Sequence, residues 1–152
     1  MRLAVVVLCC FAAAHGQNMG VMKKASENAF VAVPAMPSCT TAAVQSGDPA
    51  KGASVLLAKA TAGCVVPWHW HTPTEHLMIV SGSAKLEMKG GKSAVLDAGG
   101  YAMLPGKHVH QFTCVSACSF FVSSESAFDI HYVDLNGNEI PPEKALVTKA
   151  VK

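Results

Sequence analysis

From Thr40 to Leu135 the chain keeps one rhythm, with short apolar runs each cut by Gly, Pro, Ser or Asn. The runs are Thr40–Gln45, Ser54–Ala60, Val65–His71, Glu75–Val80, Ala84–Met88, Ala94–Leu96, Tyr101–Leu104, His110–Cys114, Cys118–Ser123 and Ile130–Leu135. Between them stand SGDPAKG, TAG, TPT, SGS, KGGK, DAGG, PGK, VSA and NGN. Runs of this length bounded by turn residues read as β-strands. With no helical interval between them, an antiparallel sandwich or barrel is predicted. Only Pro142–Ala150 has a helical look, with a proline near its start where the missing N–H costs nothing.

Composition supports a single packed domain. The chain has 152 residues, 51% hydrophobic and 14% charged, which favours one well-buried core over disorder. Its formal net charge is +2 and its single arginine is Arg2, so no basic patch exists to hold nucleic acid. The start reads differently: Met1-Arg2, an apolar run Leu3–Ala14, then small residues around His15-Gly16. This is the layout of a secretory signal peptide cleaved after Gly16, and the run is too short to span a bilayer. The expected organisation is a signal peptide over 1–16, a loose lead-in over 17–38, a β-domain over 39–140 and a helical tail over 141–152. Secretion follows as an expectation, and no membrane partner is expected.

Removing the signal would leave Cys39, Cys64, Cys114 and Cys118. An even number in an exported chain suggests two disulfides. Cys114 and Cys118 bracket a hairpin-length loop, across which their Cα atoms would come within bridging range; on one straight strand they would lie roughly 13 Å apart. That favours Cys114–Cys118 and, by elimination, Cys39–Cys64, the alternative being four reduced thiols packed as small hydrophobes.

The segment GCVVPWHWHTPTEHLMIVSG places His69, His71 and Glu75 at H-x-H-x-x-x-E spacing. On a strand, residues i and i+2 share a face roughly 6.6 Å apart, so two imidazoles can converge on one ion. A Thr-Pro-Thr turn then lets Glu75 return on the neighbouring strand with a carboxylate oxygen. Imidazole with carboxylate suits a divalent first-row metal. By alternation Trp68, Trp70 and His76 point the other way, onto an outer face or a homodimer interface. His131 reads as a sheet residue.

At this point the chain resembles the cupin superfamily. The first cupin motif, G-x5-H-x-H-x3-4-E-x6-G, is matched by Gly63, His69, His71, Glu75 and Gly82. The second, G-x5-P-x-G-x2-H-x3-N, is matched at Gly99, Pro105 and His110, and missed at Lys107 (Gly expected) and Cys114 (Asn expected). The resemblance spans roughly residues 47–123. It implies an all-β double-stranded β-helix, or jelly-roll barrel, with a short C-terminal helix after it. It implies His69, His71, Glu75 and His110 as ligands of one metal, Mn or Fe foremost, with Ni, Zn or Cu compatible. His108 stands as a neighbour of the site.

Continuing the alternation, Leu77 and Ile79 follow Glu75 inward and Phe112 follows His110, with Met103 nearby. Together these predict an apolar pocket for a small organic ligand. Glu75 is the one visible group able to act as a base as well as a ligand. The expected function is a secreted metal-dependent cupin acting on a small molecule, of dioxygenase, oxalate-degrading or isomerase type. The alternative is a non-catalytic metal- or ligand-binding cupin with a germin-like, storage or sensor role.

Overall fold

The computed structural model describes residues 20–147. The expected signal segment and the end of the expected C-terminal helix lie outside them. The strands are β1 (Thr40–Gly47), β2 (Ser54–Ala60), β3 (Val65–Trp70), β4 (Glu75–Ser81), β5 (Ser83–Met88), β6 (Ser93–Asp97), β7 (Tyr101–Leu104), β8 (His110–Cys114), β9 (Cys118–Ser124), β10 (His131–Val133) and β11 (Glu139–Ile140). Helix α1 is short, Pro142–Ala145, with Pro142 in its first turn.

Two antiparallel sheets face each other, ordered β1-β2-β9-β4-β7 and β11-β10-β3-β8-β5-β6. The pairs β2·β9, β3·β8 and β4·β7 nest inside one another along the chain. That nesting winds the chain out and back as a jelly roll. Strict alternation makes the barrel's core. On β4, Glu75, Leu77 and Ile79 are buried, and they oppose Ser124, Val122 and Phe120 of β9. Leu56, Leu86, Phe112 and Tyr132 fill the same cluster. Each buried aliphatic or aromatic side chain here contributes about 1.5–3 kcal/mol.

The turns carry the motif glycines. Gly82 has φ 74°, and a Cβ there would meet the Ala117 carbonyl oxygen at 2.1 Å, so only glycine fits. Lys107, standing where the motif expects Gly, adopts φ 63°. The turn geometry is therefore kept and the strain accepted. Both expected disulfides are present, Cys39–Cys64 and Cys114–Cys118, each with Cα atoms 5.8 Å apart.

Three local expectations change. The regular strand Val65–His71 ends at Trp70 and is broken by a bulge between Val66 and His69. Val66 and His69 are both buried although three apart, while Val65 is exposed. Proline 67 supplies no ladder N–H, so the register slips there and an extra residue is absorbed. The strand expected over Ile130–Leu135 shortens to β10, and β11, too brief to show a pattern, pairs with it through Tyr132–Ile140 and Val133–Glu139. The lead-in is partly built: Ala25–Glu27 forms a 3-10 turn and Val31 bridges Ala42.

Candidate metal centre

The bulge aims His69. Slipping the register at Pro67 turns His69 to the inner face, opposite His110 on β8. The same irregularity frees the Pro67 carbonyl, which accepts a hydrogen bond from His69 Nδ1 at 2.6 Å. His110 Nδ1 donates likewise to the His108 carbonyl at 2.9 Å. His71 Nδ1 donates to the Asp129 carbonyl. A carbonyl oxygen can only accept, so each Nδ1 carries the proton and each Nε2 presents its lone pair. Three imidazoles are thus held in the ligating tautomer by three backbone oxygens before any ion arrives.

Ring nitrogens of His69, His71 and His110 all lie within 4.8 Å of one another. Glu75 borders this group at two members, its Oε2 standing 3.7 Å from His71 Nε2 and 3.8 Å from His110 Nε2. Donors sharing one ion at about 2.1 Å lie about 3–3.4 Å apart. A contraction of less than an ångström would bring Glu75 to that separation from His71 and His110; Glu75 is not within 4.8 Å of all three histidines. All four are nearly inaccessible, from 2% exposed at His110 to 6% at Glu75. Four titratable groups buried at one point cost stability unless something pairs them.

Burial sets their protonation. It depresses His69, with help from His110 and His71. It depresses His71 and His110 as well, outweighing the opposing Asp129 carbonyl and Glu75 carboxylate respectively. Burial pushes the Glu75 carboxyl up to about 7 against the pull of His110 and His76. Neutral imidazoles beside a carboxyl poised near neutrality are what a divalent cation needs.

The site opens into a cavity of about 60 Å³ whose walls include Leu77, Phe112, Phe120, Val122 and Phe128. Leu77 and Phe112 are therefore where the sequence placed them. Ile79 faces the core but does not line the cavity. Met103 and His108 do not line it either. Met103 is 51% exposed because it pairs with His76, an outward residue, and cross-strand partners share a face. His108 is exposed and serves the site only through its carbonyl.

His76 faces outward, its ring hydrogen-bonded to the Tyr101 hydroxyl at 2.7 Å. Trp70 also faces away, stacked on His131 at 3.9 Å and 4°. Sequence reasoning missed Asp129 and the walls Val33, Met36, Thr40, Thr41 and Phe128. Asp129 ties His71 by its carbonyl while its carboxylate accepts from the Thr72 N–H at 2.7 Å. No local pattern announces these residues, which come from distant parts of the chain.

Residues 57–124 match the cupin domain model, and the barrel is the cupin fold. The matched segment is a cupin domain. No curated relative matches its sequence. Among solved structures it resembles the polyketide cyclase RemF from Streptomyces resistomycificus at 18% identity and TM-score 0.66, covering 77% of this chain and 87% of that one. KdgF from Halomonas sp. resembles it at 17% identity and TM-score 0.57, over 68% and 92%. The salicylate 1,2-dioxygenase from Pseudoaminobacter salicylatoxidans, in adducts with gentisate, resembles it at 14% identity and TM-score 0.52, over 58% of this chain but 25% of that one.

Proposed function

We propose that this protein is a secreted, single-domain cupin that binds one divalent transition metal through His69, His71, His110 and Glu75 and acts on a small organic molecule. The observation that carries the reading is the trio of buried imidazoles, each locked by a backbone carbonyl with Nε2 free. The donor set of three nitrogens and one oxygen fits Mn or Fe, and admits Ni, Zn or Cu. When bound, the ion would polarise a ligand at its open coordination position.

The protein's own residues do the rest. Leu77, Phe112, Phe120 and Val122 line the cavity with apolar surface and would limit water there. In the metal-free site burial holds the Glu75 carboxyl at about 7; released from the ion it could accept a proton. The salicylate 1,2-dioxygenase structure with gentisate supports small-molecule chemistry on this fold.

A non-catalytic binding role is the second reading. It is favoured by a wall that, among the described residues, offers no acid or base besides Glu75, His69 and His71. Elemental analysis of protein recovered from culture medium, with its N-terminus at Gln17, should find about one metal per chain, lost in His69→Ala. Metal-free wild type as isolated and after reconstitution would overturn the reading. Loaded protein that consumes dioxygen or turns over oxalate, phenolic or sugar substrates supports the enzyme; a loaded, inert protein supports the binding role.

A further inference from the structure

The metal cavity is closed on one side by a segment that is not part of the sheets. Val33 and Met36 line it. Met36, half-buried, also lines a separate cleft of about 560 Å³ on the outside, shared with Cys39, Cys64, Val65 and Leu146. Its side chain is therefore the partition between the inner cavity and the outer cleft.

The segment is tied to both sheets. At one end Val31 bridges Ala42 of β1. In the middle Tyr132 of β10, 1% exposed, donates its hydroxyl to the Ala35 carbonyl at 2.8 Å. At the far end Cys39 is bonded to Cys64 at the start of β3. Ala35 sits at φ 60°, a left-handed conformation that a residue with a Cβ rarely adopts. Such strain persists only where the surroundings over-determine it. The anchors hold Met36 against the cavity.

We propose that Val33 and Met36 set the size of the molecule that reaches the metal, and that Tyr132 and the Cys39–Cys64 bridge keep them in place. The inference rests on the metal reading given above. An inner cavity of about 60 Å³ is far below the roughly 300–1,000 Å³ that encloses a drug-sized ligand. It admits a neutral or singly charged ligand of a few non-hydrogen atoms. A ring-sized ligand enters only if Met36 is cut back or the strap lifts into the outer cleft.

The test uses Co(II)-loaded full-length protein and two probes, azide and 4-nitrocatechol, followed through the cobalt absorption bands. Wild type and Met36→Leu should bind azide and exclude 4-nitrocatechol. Met36→Ala should bind 4-nitrocatechol at least about tenfold more tightly while its azide affinity moves less than about threefold. Tyr132→Phe, which changes no residue of the cavity wall, should shift the same way by a smaller factor. Should Met36→Ala not fold, Met36→Val must give the same ordering. Wild type that binds 4-nitrocatechol as tightly as the truncated variants overturns the inference, and so does cobalt-loaded Met36→Ala that gains nothing. Failure of wild type to take up cobalt is a different result, and overturns the metal reading itself.

Discussion

The two walls of the metal cavity are built by opposite means. The ligand wall comes from β3, β4 and β8, with His71 just past the end of β3, inside the segment 57–124 that matches the cupin domain. Its histidines are positioned by ladder register and fixed by backbone carbonyls, so their geometry is as rigid as the barrel. The facing wall, Val33 and Met36, lies outside that segment and is irregular backbone. It is held by one bridge, one tyrosine hydroxyl and a few turns. Chemistry that needs tenths of an ångström sits on strands, and access sits on a loop that can be retuned without disturbing the ladder.

Breaking the ligand wall should give the largest effect. Replacing His71 with Ala removes a donor, and metal affinity should fall well beyond the ~100-fold that follows loss of an outer partner. His76→Ala, on the opposite face, should leave affinity within about twofold by titration calorimetry. Equal losses from both would mean that the strand faces are wrongly assigned.

Breaking the strap's covalent anchor comes next. Cys39 and Cys64 are separated by 25 residues, so replacing both with Ala should lower stability by about 3.5 kcal/mol in urea. The same change at Cys114 and Cys118, separated by 4, should cost about 2 kcal/mol. Metal stoichiometry should survive the first, because the strap supplies no ligand. Its loss there would erase the distinction between the walls.

The pH dependence sharpens the ligand wall further. Glu75 has a folded pKa raised from 4.5 to about 7. In metal-free protein it therefore costs nothing below about 4.5, and it subtracts stability as pH rises toward 7. Glu75→Gln removes that cost, so the variant should gain about 3 kcal/mol on apo wild type between pH 4.5 and 8. The three depressed histidines act in the opposite sense, losing stability as pH falls below 6.5. His69 and His71 cancel in the comparison of the two proteins, whereas His110 loses the upward pull of the Glu75 charge in the variant. A pH-independent difference would mean that Glu75 is not buried as the structure shows. The smallest effect is expected at the second motif's departure from pattern. Lys107→Gly should stabilise by about 1 kcal/mol, since φ 63° suits glycine.

Much of this molecule was readable in advance because the information is local. Alternation and turn residues marked the main strands, and the spacing of His69, His71 and Glu75 brought three side chains to one point, although Glu75 returns on β4 of the facing sheet and not on a strand neighbouring β3. Four cysteines with one hairpin-length gap left little freedom for pairing. Where the reading failed, the reason was also local: a proline inside β3 shifted the register, so the regular strand expected over Val65–His71 is bulged and ends at Trp70. Met103 was misjudged because its facing depends on its partner His76 across the ladder.

The linear chain thus determined the fold class and the donor types, since both are written in periods of two and in residue chemistry over a few neighbours. Tertiary structure alone decided which carbonyls lock the imidazoles, with Asp129 reaching His71 across 58 positions. It alone decided that Met36 closes the cavity. Contacts between segments so far apart leave no period to read, because they exist only once two sheets have closed on each other.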